Sequence, residues 1–550
     1  MDKLKLMFVA LPTYSPNMAS MQEKNTVNYN IFPPLGILSL ATHLDKGLVE
    51  EYWCADFSEL DYNDFGQITY EELVEKVLLD SCNGKNPDVI GISLSISSSY
   101  HFFKLICKVI RNIFPKSIIV VGGVHTSNSV EHVFNENDID YIIAGEGEIV
   151  LNKFLEAIRD NGKPADLVGV HAKGNIKKTV KGKYEMAPVV EDTDMDFTLF
   201  PKLLNMDFYT KHTSVHTVSK IDITKNAFAL SASRGCPCSC TFCAVGTVHG
   251  HIPRWRSFEN VRDEIIWLNK NYDVETIYLM DDNWVPANKT IDFFNYMSEL
   301  KIPGLKLVIQ NLSVNYTSKE MIDAMINAGI DSLTFAIESG NVELQKLMNK
   351  HCNLDKAQEL VSYAQSKGLS VRCFYIIGFP NETVSQMQET IEFAKNLNAN
   401  WSNISVAQPI PGTVMYQQFI DLGYLKDDSS MWGERDLRDR VFDTKEITAD
   451  ALRRLAYSAS LEINFVNNYN IVTGDYEGAK TIFENFVHRI PYHVIAYDCL
   501  RRIYKALHDK ENYDRVVNKI RDLMKTDKEA QHFLDYKYLL DEEGQKLLEN

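Results

Sequence analysis

The sequence predicts an α/β protein in three parts. A doubly wound parallel sheet occupies residues 1–160 and a partial (β/α)6 barrel residues 226–425, with a connector at 161–225 between them. A helical domain follows at 426–550. Three observations predict this. Short apolar runs bounded by turn residues alternate with helical patterns twice along the chain, the signature of parallel sheets covered by helices. The chemically distinctive residues fall at the carboxyl ends of those runs, where such sheets keep their ligands. After Leu425 the strand runs stop and amphipathic helices take over. A chain of 550 residues is also too long for a single core.

In the first part the strands are expected at Leu4–Leu11, Val49–Cys54, Val89–Leu94, Ser117–Val121 and Tyr141–Ala144. A helix opens at Pro34, with proline in its first turn, and runs to Ala41. The strand ends read Gly91-Ile92-Ser93-Leu94-Ser95, Gly122-Gly123-Val124-His125 and Gly145-Glu146-Gly147-Glu148. Glycine at such an end lets a ligand approach the backbone closely. Glu146 and Glu148 also suit a helix N-terminus, where carboxylates are favoured. His125 reads equally as a loop histidine with satisfied hydrogen bonds. In the connector, Val168–Ala172 and Lys183–Met186 flank a basic turn and suggest a hairpin, followed by the Asp- and Pro-bearing stretch Glu191–Pro201.

Six strands are expected in the barrel: Ala227–Ser233, Thr276–Met280, Leu305–Gln310, Ser332–Ile337, Ser370–Ile377 and Asn403–Gln408. The first leads into Ser233-Arg234-Gly235-Cys236-Pro237-Cys238-Ser239-Cys240-Thr241-Phe242-Cys243. Cys236, Cys240 and Cys243 form a C-x3-C-x2-C array. Three thiolates on one loop can hold three irons of a [4Fe–4S] cluster and leave the fourth open for chemistry. With Cys238 they could instead close a structural zinc site, although the spacing is cramped and there is no second C-x-x-C knuckle. Ser257 is a candidate N-cap for a helix at Phe258–Asn269.

Beyond the barrel, Ile447–Asn468 reads as one amphipathic helix. Two weakly similar stretches around Tyr476 and Tyr513 lie 37 residues apart, near the tetratricopeptide period but too few to define an array. A net charge of −17 argues against a nucleic-acid binder. The other six cysteines are scattered, as in a reducing compartment, and no apolar run approaches a membrane span. The N-terminus reads as a strand rather than a signal peptide, so a cytoplasmic protein is expected.

The cysteine array, Asp281-Asp282-Asn283-Trp284, Ala336-Ile337-Glu338-Ser339-Gly340, Gly378-Phe379-Pro380-Asn381-Glu382-Thr383 and Gln408-Pro409-Ile410-Pro411-Gly412-Thr413 together resemble the radical S-adenosylmethionine (SAM) enzymes. The strand ends of the first 160 residues resemble the cobalamin-binding domain of one branch of that family. The resemblance covers about three quarters of the chain. It implies an N-terminal Rossmann-like cobalamin-binding domain, a central radical SAM barrel and a substrate-specific C-terminal helical domain. The family's D-x-H-x-x-G motif falls on Asp56-Phe57-Ser58-Glu59-Leu60-Asp61, where Ser58 replaces the cobalt-binding histidine and the glycine is missing. Cobalamin is therefore expected without a lower histidine ligand. Asn381 replaces glycine in the family's G-x-P-G-E-T turn, and asparagine tolerates the left-handed backbone needed there.

Site residues implied by the resemblance are Cys236, Cys240 and Cys243 for the cluster, with Cys238 a bystander. For SAM they are Phe242, Asp281, Glu338, Ser339, Arg372 and Gln408. Alternatives stand beside them: packing for Phe242, helix capping for an aspartate, a structural ion pair for Arg372. For cobalamin they are Ser58, Ser93, Ser95, Gly122, Gly123, His125, Gly145, Glu146 and Gly147. The implied reaction is methylation of an unactivated carbon, or of phosphorus, through a 5'-deoxyadenosyl radical and methylcobalamin. A small-molecule or peptide substrate and an electron donor such as flavodoxin or ferredoxin complete the reading. A cyclase or rearrangement enzyme of the same fold, and a zinc-stabilised binding protein, are the alternatives. No residue is identified as a general base.

Overall fold

The structure is a computed structural model describing residues 2–12, 31–59, 69–213, 225–426, 432 and 440–549. Leu60 and Asp61 of the Asp56–Asp61 stretch lie outside these residues.

The first sheet contains β1 (Leu4–Ala10), β2 (Val49–Asp56), β3 (Val89–Ser93), β4 (Ile118–Gly122), β5 (Tyr141–Ile143) and β6 (Val170–Ala172), in the order β2-β1-β3-β4-β5-β6. The first five are parallel, and the order reverses between β1 and β3, so the crevice outside their carboxyl ends is a switch point of the doubly wound kind. Apolar residues face both sides: Leu6 and Phe8 enter one buried cluster, Met7 and Val9 another. Such two-sided burial is why these strands read as continuous apolar runs.

The expected hairpin at 168–186 is corrected. Val170–Ala172 pairs antiparallel with β5 as the edge strand of the sheet, while Tyr184 makes only an isolated bridge to Lys178 and Ala187 one to Gly145. The partner of this segment is an earlier strand, which local periodicity does not reveal.

The second sheet is the open barrel: β7 (Ala227–Leu230), β10 (Thr276–Leu279), β11 (Lys306–Ile309), β12 (Ile330–Glu338), β13 (Ser370–Ile377) and β14 (Trp401–Val406), all parallel and in that spatial order. Between β7 and β10 lies a two-residue antiparallel ribbon, β8 (Ser233–Arg234) with β9 (Arg254–Trp255), which closes the base of the cysteine loop. Outward residues such as Phe228, Ile277 and Leu333 pack under the helices; Ala229, Tyr278 and Val308 form the inner cluster. Ser257 caps the helix Phe258–Tyr272, its side chain accepting from the Asn260 amide, as expected.

The C-terminal part has its own core of helices, including Tyr476–Arg489, Val494–Ala506 and Lys510–Thr526. The helix expected at 447–468 is Ala449–Leu461 followed by one π-helical turn, Glu462–Val466. Among the described residues no helix is long and apolar enough to cross a membrane.

Candidate active site

The cysteine loop leaves the barrel through Gly235, whose φ is +93° and where a Cβ would lie 2.8 Å from the Ile252 carbonyl. Only glycine fits such a position. Downstream, the Thr241 amide donates to the Met348 carbonyl at 2.9 Å, and the Met415 amide donates to the Thr241 carbonyl at 2.9 Å. The Asn349 side chain donates to the Ser239 carbonyl at 2.9 Å. Two aspartates secure the entry. Asp281, fully buried, accepts from the Ala232 amide at 3.1 Å and the Ser233 hydroxyl at 2.7 Å; Asp282 accepts from the Gly235 amide at 2.8 Å. Burial pushes the Asp281 carboxyl up to about 7. In this structure its oxygens meet the Ala232 amide and the Ser233 hydroxyl at the entry to the cysteine loop.

Cys236 accepts from the Asn283 side-chain amide at 3.5 Å. Cys240 is the array thiol held below its ordinary value, first by a hydrogen bond from Cys238 and then by the nearby Lys350 ammonium. Burial pushes Cys243 up to about 11. Among the described residues no three His, Cys, Asp or Glu side chains gather closely enough to hold one metal ion. The donor set, three thiols on one loop beside a buried cation, fits the cluster.

Lys350 was not singled out by the sequence. Its Nζ lies 3.3 Å from the Glu338 carboxylate, and the side chains are 12% and 9% exposed. Burial opposes its charge, but Glu338 and Cys240 outweigh burial and hold it protonated. A lone lysine carries no pattern; only its placement 12 residues beyond Glu338 could have drawn attention. Glu338 ends β12 with φ of +72°, a strained backbone for a non-glycine residue and one that clusters at functional sites.

The four other expected SAM residues are Ser339, Arg372, Phe242 and Gln408. The Ser339 hydroxyl is fully buried, bonded to Thr390 at 2.9 Å and accepting from the Asn341 amide at 3.0 Å, so it builds the turn instead of reaching outward. Arg372 lies in the amino-terminal half of β13, opposite Thr334, whereas Glu338 pairs with Tyr375. Three residues of strand put it about 10 Å below Glu338. It points into the barrel near Tyr278 and over Phe374, bonds Asn403, and keeps Nε and Nη1 buried without hydrogen-bond partners. Burial lowers its basicity to about 10. Phe242 packs edge-on against Phe379 at 5.8 Å. Gln408 is half-buried just past β14.

In the first sheet, Ser58, Ser93, Ser95, Gly122, Gly123, Gly145 and Gly147 gather at one carboxyl edge. Gly123 has φ of +106°, and a Cβ there would lie 2.5 Å from the Leu94 carbonyl oxygen. Two of the expected cobalamin residues have partners within the protein. His125 is buried, its Nδ1 bonded to Ser97 at 2.8 Å and its ring against Tyr100 and Trp432, so it belongs to the packed interior. Glu146 bonds both terminal nitrogens of Arg254, the His249 ring and the Val190 amide, which holds its carboxyl down to about 2 against the cost of burial. Its partners lie in the cysteine-loop region and the connector.

Residues 230–394 match the Radical SAM superfamily and residues 26–155 the B12 binding domain. The cytidylyl-2-hydroxyethylphosphonate methyltransferase of Streptomyces wedmorensis is 26% identical over 372 residues, 63% of this chain and 69% of its own. An uncharacterised methyltransferase of Pyrococcus horikoshii is 26% identical over 429 residues, 78% of this chain and 86% of its own. The cobalamin-dependent SAM radical enzyme OxsB, solved with aqua-cobalamin, superposes with a TM-score of 0.59 at 16% identity, covering 99% of this chain and 83% of OxsB. The chain thus carries a radical SAM domain at 230–394 and a B12-binding domain at 26–155, and shares the fold of OxsB.

Proposed function

We propose that the protein is a cobalamin-dependent radical SAM methyltransferase acting on an unactivated carbon, or on phosphorus, in a small-molecule or peptide substrate. One observation carries this beyond the family: the strand-end turns of the N-terminal domain rest directly on the cysteine loop, through Glu146 to Arg254 and Glu148 to Arg234. A methyl carrier and a radical source serve one substrate only if held that close. When bound, the cluster and SAM supply a 5'-deoxyadenosyl radical and cobalamin carries the methyl group; the rest is orientation and exclusion of water by the protein.

In this reading Cys236, Cys240 and Cys243 hold the cluster and Cys238 does not. Glu338 and Lys350 meet the ammonium and carboxylate of SAM, a pairing that suits an amino acid's two charged ends. Phe242 and Gln408 line the same mouth. Arg372 lies well below it, inside the barrel. Ser58, Ser93, Ser95, Gly122, Gly123, Gly145 and Gly147 approach cobalamin, which has no histidine beneath it. The parts divide at 160, 225 and 425. A flavodoxin or ferredoxin supplies electrons, the protein is cytoplasmic, and nucleic acid is not a partner.

Anaerobic purification and incubation with SAM and a strong reductant test this. The expected result is about four irons and four sulfides per chain, bound cobalamin, and S-adenosylhomocysteine appearing beside 5'-deoxyadenosine. Deoxyadenosine without homocysteine product would favour the cyclase; one zinc and no iron would overturn the enzyme reading.

A further inference from the structure

Arg234 and Arg254 face each other across the β8–β9 ribbon at the base of the cysteine loop. Like charges directly opposite in a ladder destabilise it, and these two side chains are only 14% and 6% exposed. Each is answered by one glutamate of the Gly145–Glu148 turn. Glu148 Oε1 lies 2.5 Å from Arg234 and also accepts from the Ser39 hydroxyl at 2.7 Å. Glu146 takes Arg254 bidentately at 2.8 and 2.7 Å. A third contact lies on the far limb of the loop, where the Asn128 side chain, at the end of the helix Val124–Asn128, donates to the Thr247 hydroxyl at 3.0 Å. Thr247 sits in the short helix Val245–Val248 just after Cys243.

We propose that Glu146 and Glu148 are positioning residues of the cluster loop, so that the N-terminal domain forms half of the cluster's seat. This rests on the cluster reading of Cys236, Cys240 and Cys243. Neither half is neutral alone. Removing either member of a pair would leave its buried partner without a counter-charge, which is strongly unfavourable. The loop's order therefore depends on the turn.

The test compares the full-length chain with its E146Q/E148Q variant. Glutamine keeps size and hydrogen bonding and removes the charge. In protein without cluster, amide exchange in residues 235–253 is expected to quicken about tenfold or more, as a local opening loses its latch. After reconstitution, the electron paramagnetic resonance signal and midpoint potential of the reduced cluster are expected to shift, while cobalamin loading stays at the wild-type ratio. Unchanged exchange and cluster signal with cobalamin lost would overturn the proposal and make the turn a cofactor contact. Should the double variant fold poorly, the charge-reversed pair E148R/R234E decides: loop protection regained relative to E148R alone supports the latch, and none regained overturns it. Wild-type protein without iron would defeat the cluster reading, while the exchange comparison would still judge the latch.

Discussion

Cys238 and Cys240 differ in what surrounds them. Cys240 faces Lys350 and receives the Cys238 thiol hydrogen, which favours its thiolate; Cys238 is held above its ordinary value, because the lowering hydrogen bond from Cys236 is outweighed by Cys240 and burial. Cys240→Ala is expected to lose cluster iron and SAM cleavage, and Cys238→Ala to keep both, by iron analysis and deoxyadenosine yield; iron lost from the Cys238 variant would reverse the ligand choice. Glu382 gives a pH dependence. It is 1% exposed, its Oε2 accepts from the Gly378 and Phe379 amides at 2.6 and 2.8 Å, and burial pushes its carboxyl from 4.5 up to about 8. The folded state thus holds a proton that the unfolded chain releases. Its contribution is full below the unfolded value and is lost as pH rises through about 8. Denaturation at pH 6 and pH 9 should show wild type losing about 3 kcal/mol, a loss that Glu382→Gln, which keeps the acceptor, largely removes.

Among the elements, the six barrel strands lie within about three residues of where apolar runs and turn residues put them, since buried parallel strands must be apolar on both faces. The Gly378–Thr383 turn was also legible: Asn381 takes φ of +62°, the left-handed backbone expected of it. Partners were not legible. Motif spacing gives the height of Asp281, Ser339 and Arg372 on their strands, but not that the Ala232 amide, Thr390 and the barrel interior are what they meet. The closure of β14 was equally hidden. Asn464, in the π-helical turn, accepts from the Ser402 amide and donates to the Ser402 carbonyl, both at 2.7 Å, pairing with the exposed strand edge as another strand would. Asn464→Ala leaves both groups unmet, at a cost of about 2–4 kcal/mol in chemical denaturation, with faster exchange of the Ser402 amide.

At the scale of the whole molecule, the sequence separated the three parts but not the bonds between them. Glu146 and Arg254 are 108 residues apart and Asn464 and Ser402 are 62, and nothing in either local pattern names the other. The C-terminal part is bound together by Arg501, 1% exposed, which joins Asp498, Asp541 and Glu543. Arg501→Met strands the buried Asp498 and should cost about 3–5 kcal/mol, seen as an early melting transition of helical signal, with iron content unchanged. The connector also reaches back: Tyr209 donates to Asp56 at 2.5 Å, and Asp56 accepts from the Ser58 amide at 2.9 Å. This limits redesign. In a D-x-H arrangement the aspartate orients the histidine, and an unoriented histidine is a poor ligand. Here the aspartate is already engaged, so Ser58→His alone should leave the visible spectrum of bound cobalamin that of a histidine-free form, and only with Tyr209→Phe, which frees Asp56, should a histidine-ligated spectrum appear. A histidine placed at 58 would thus compete with Tyr209, in another part of the chain, for Asp56, and one substitution does not supply an oriented ligand.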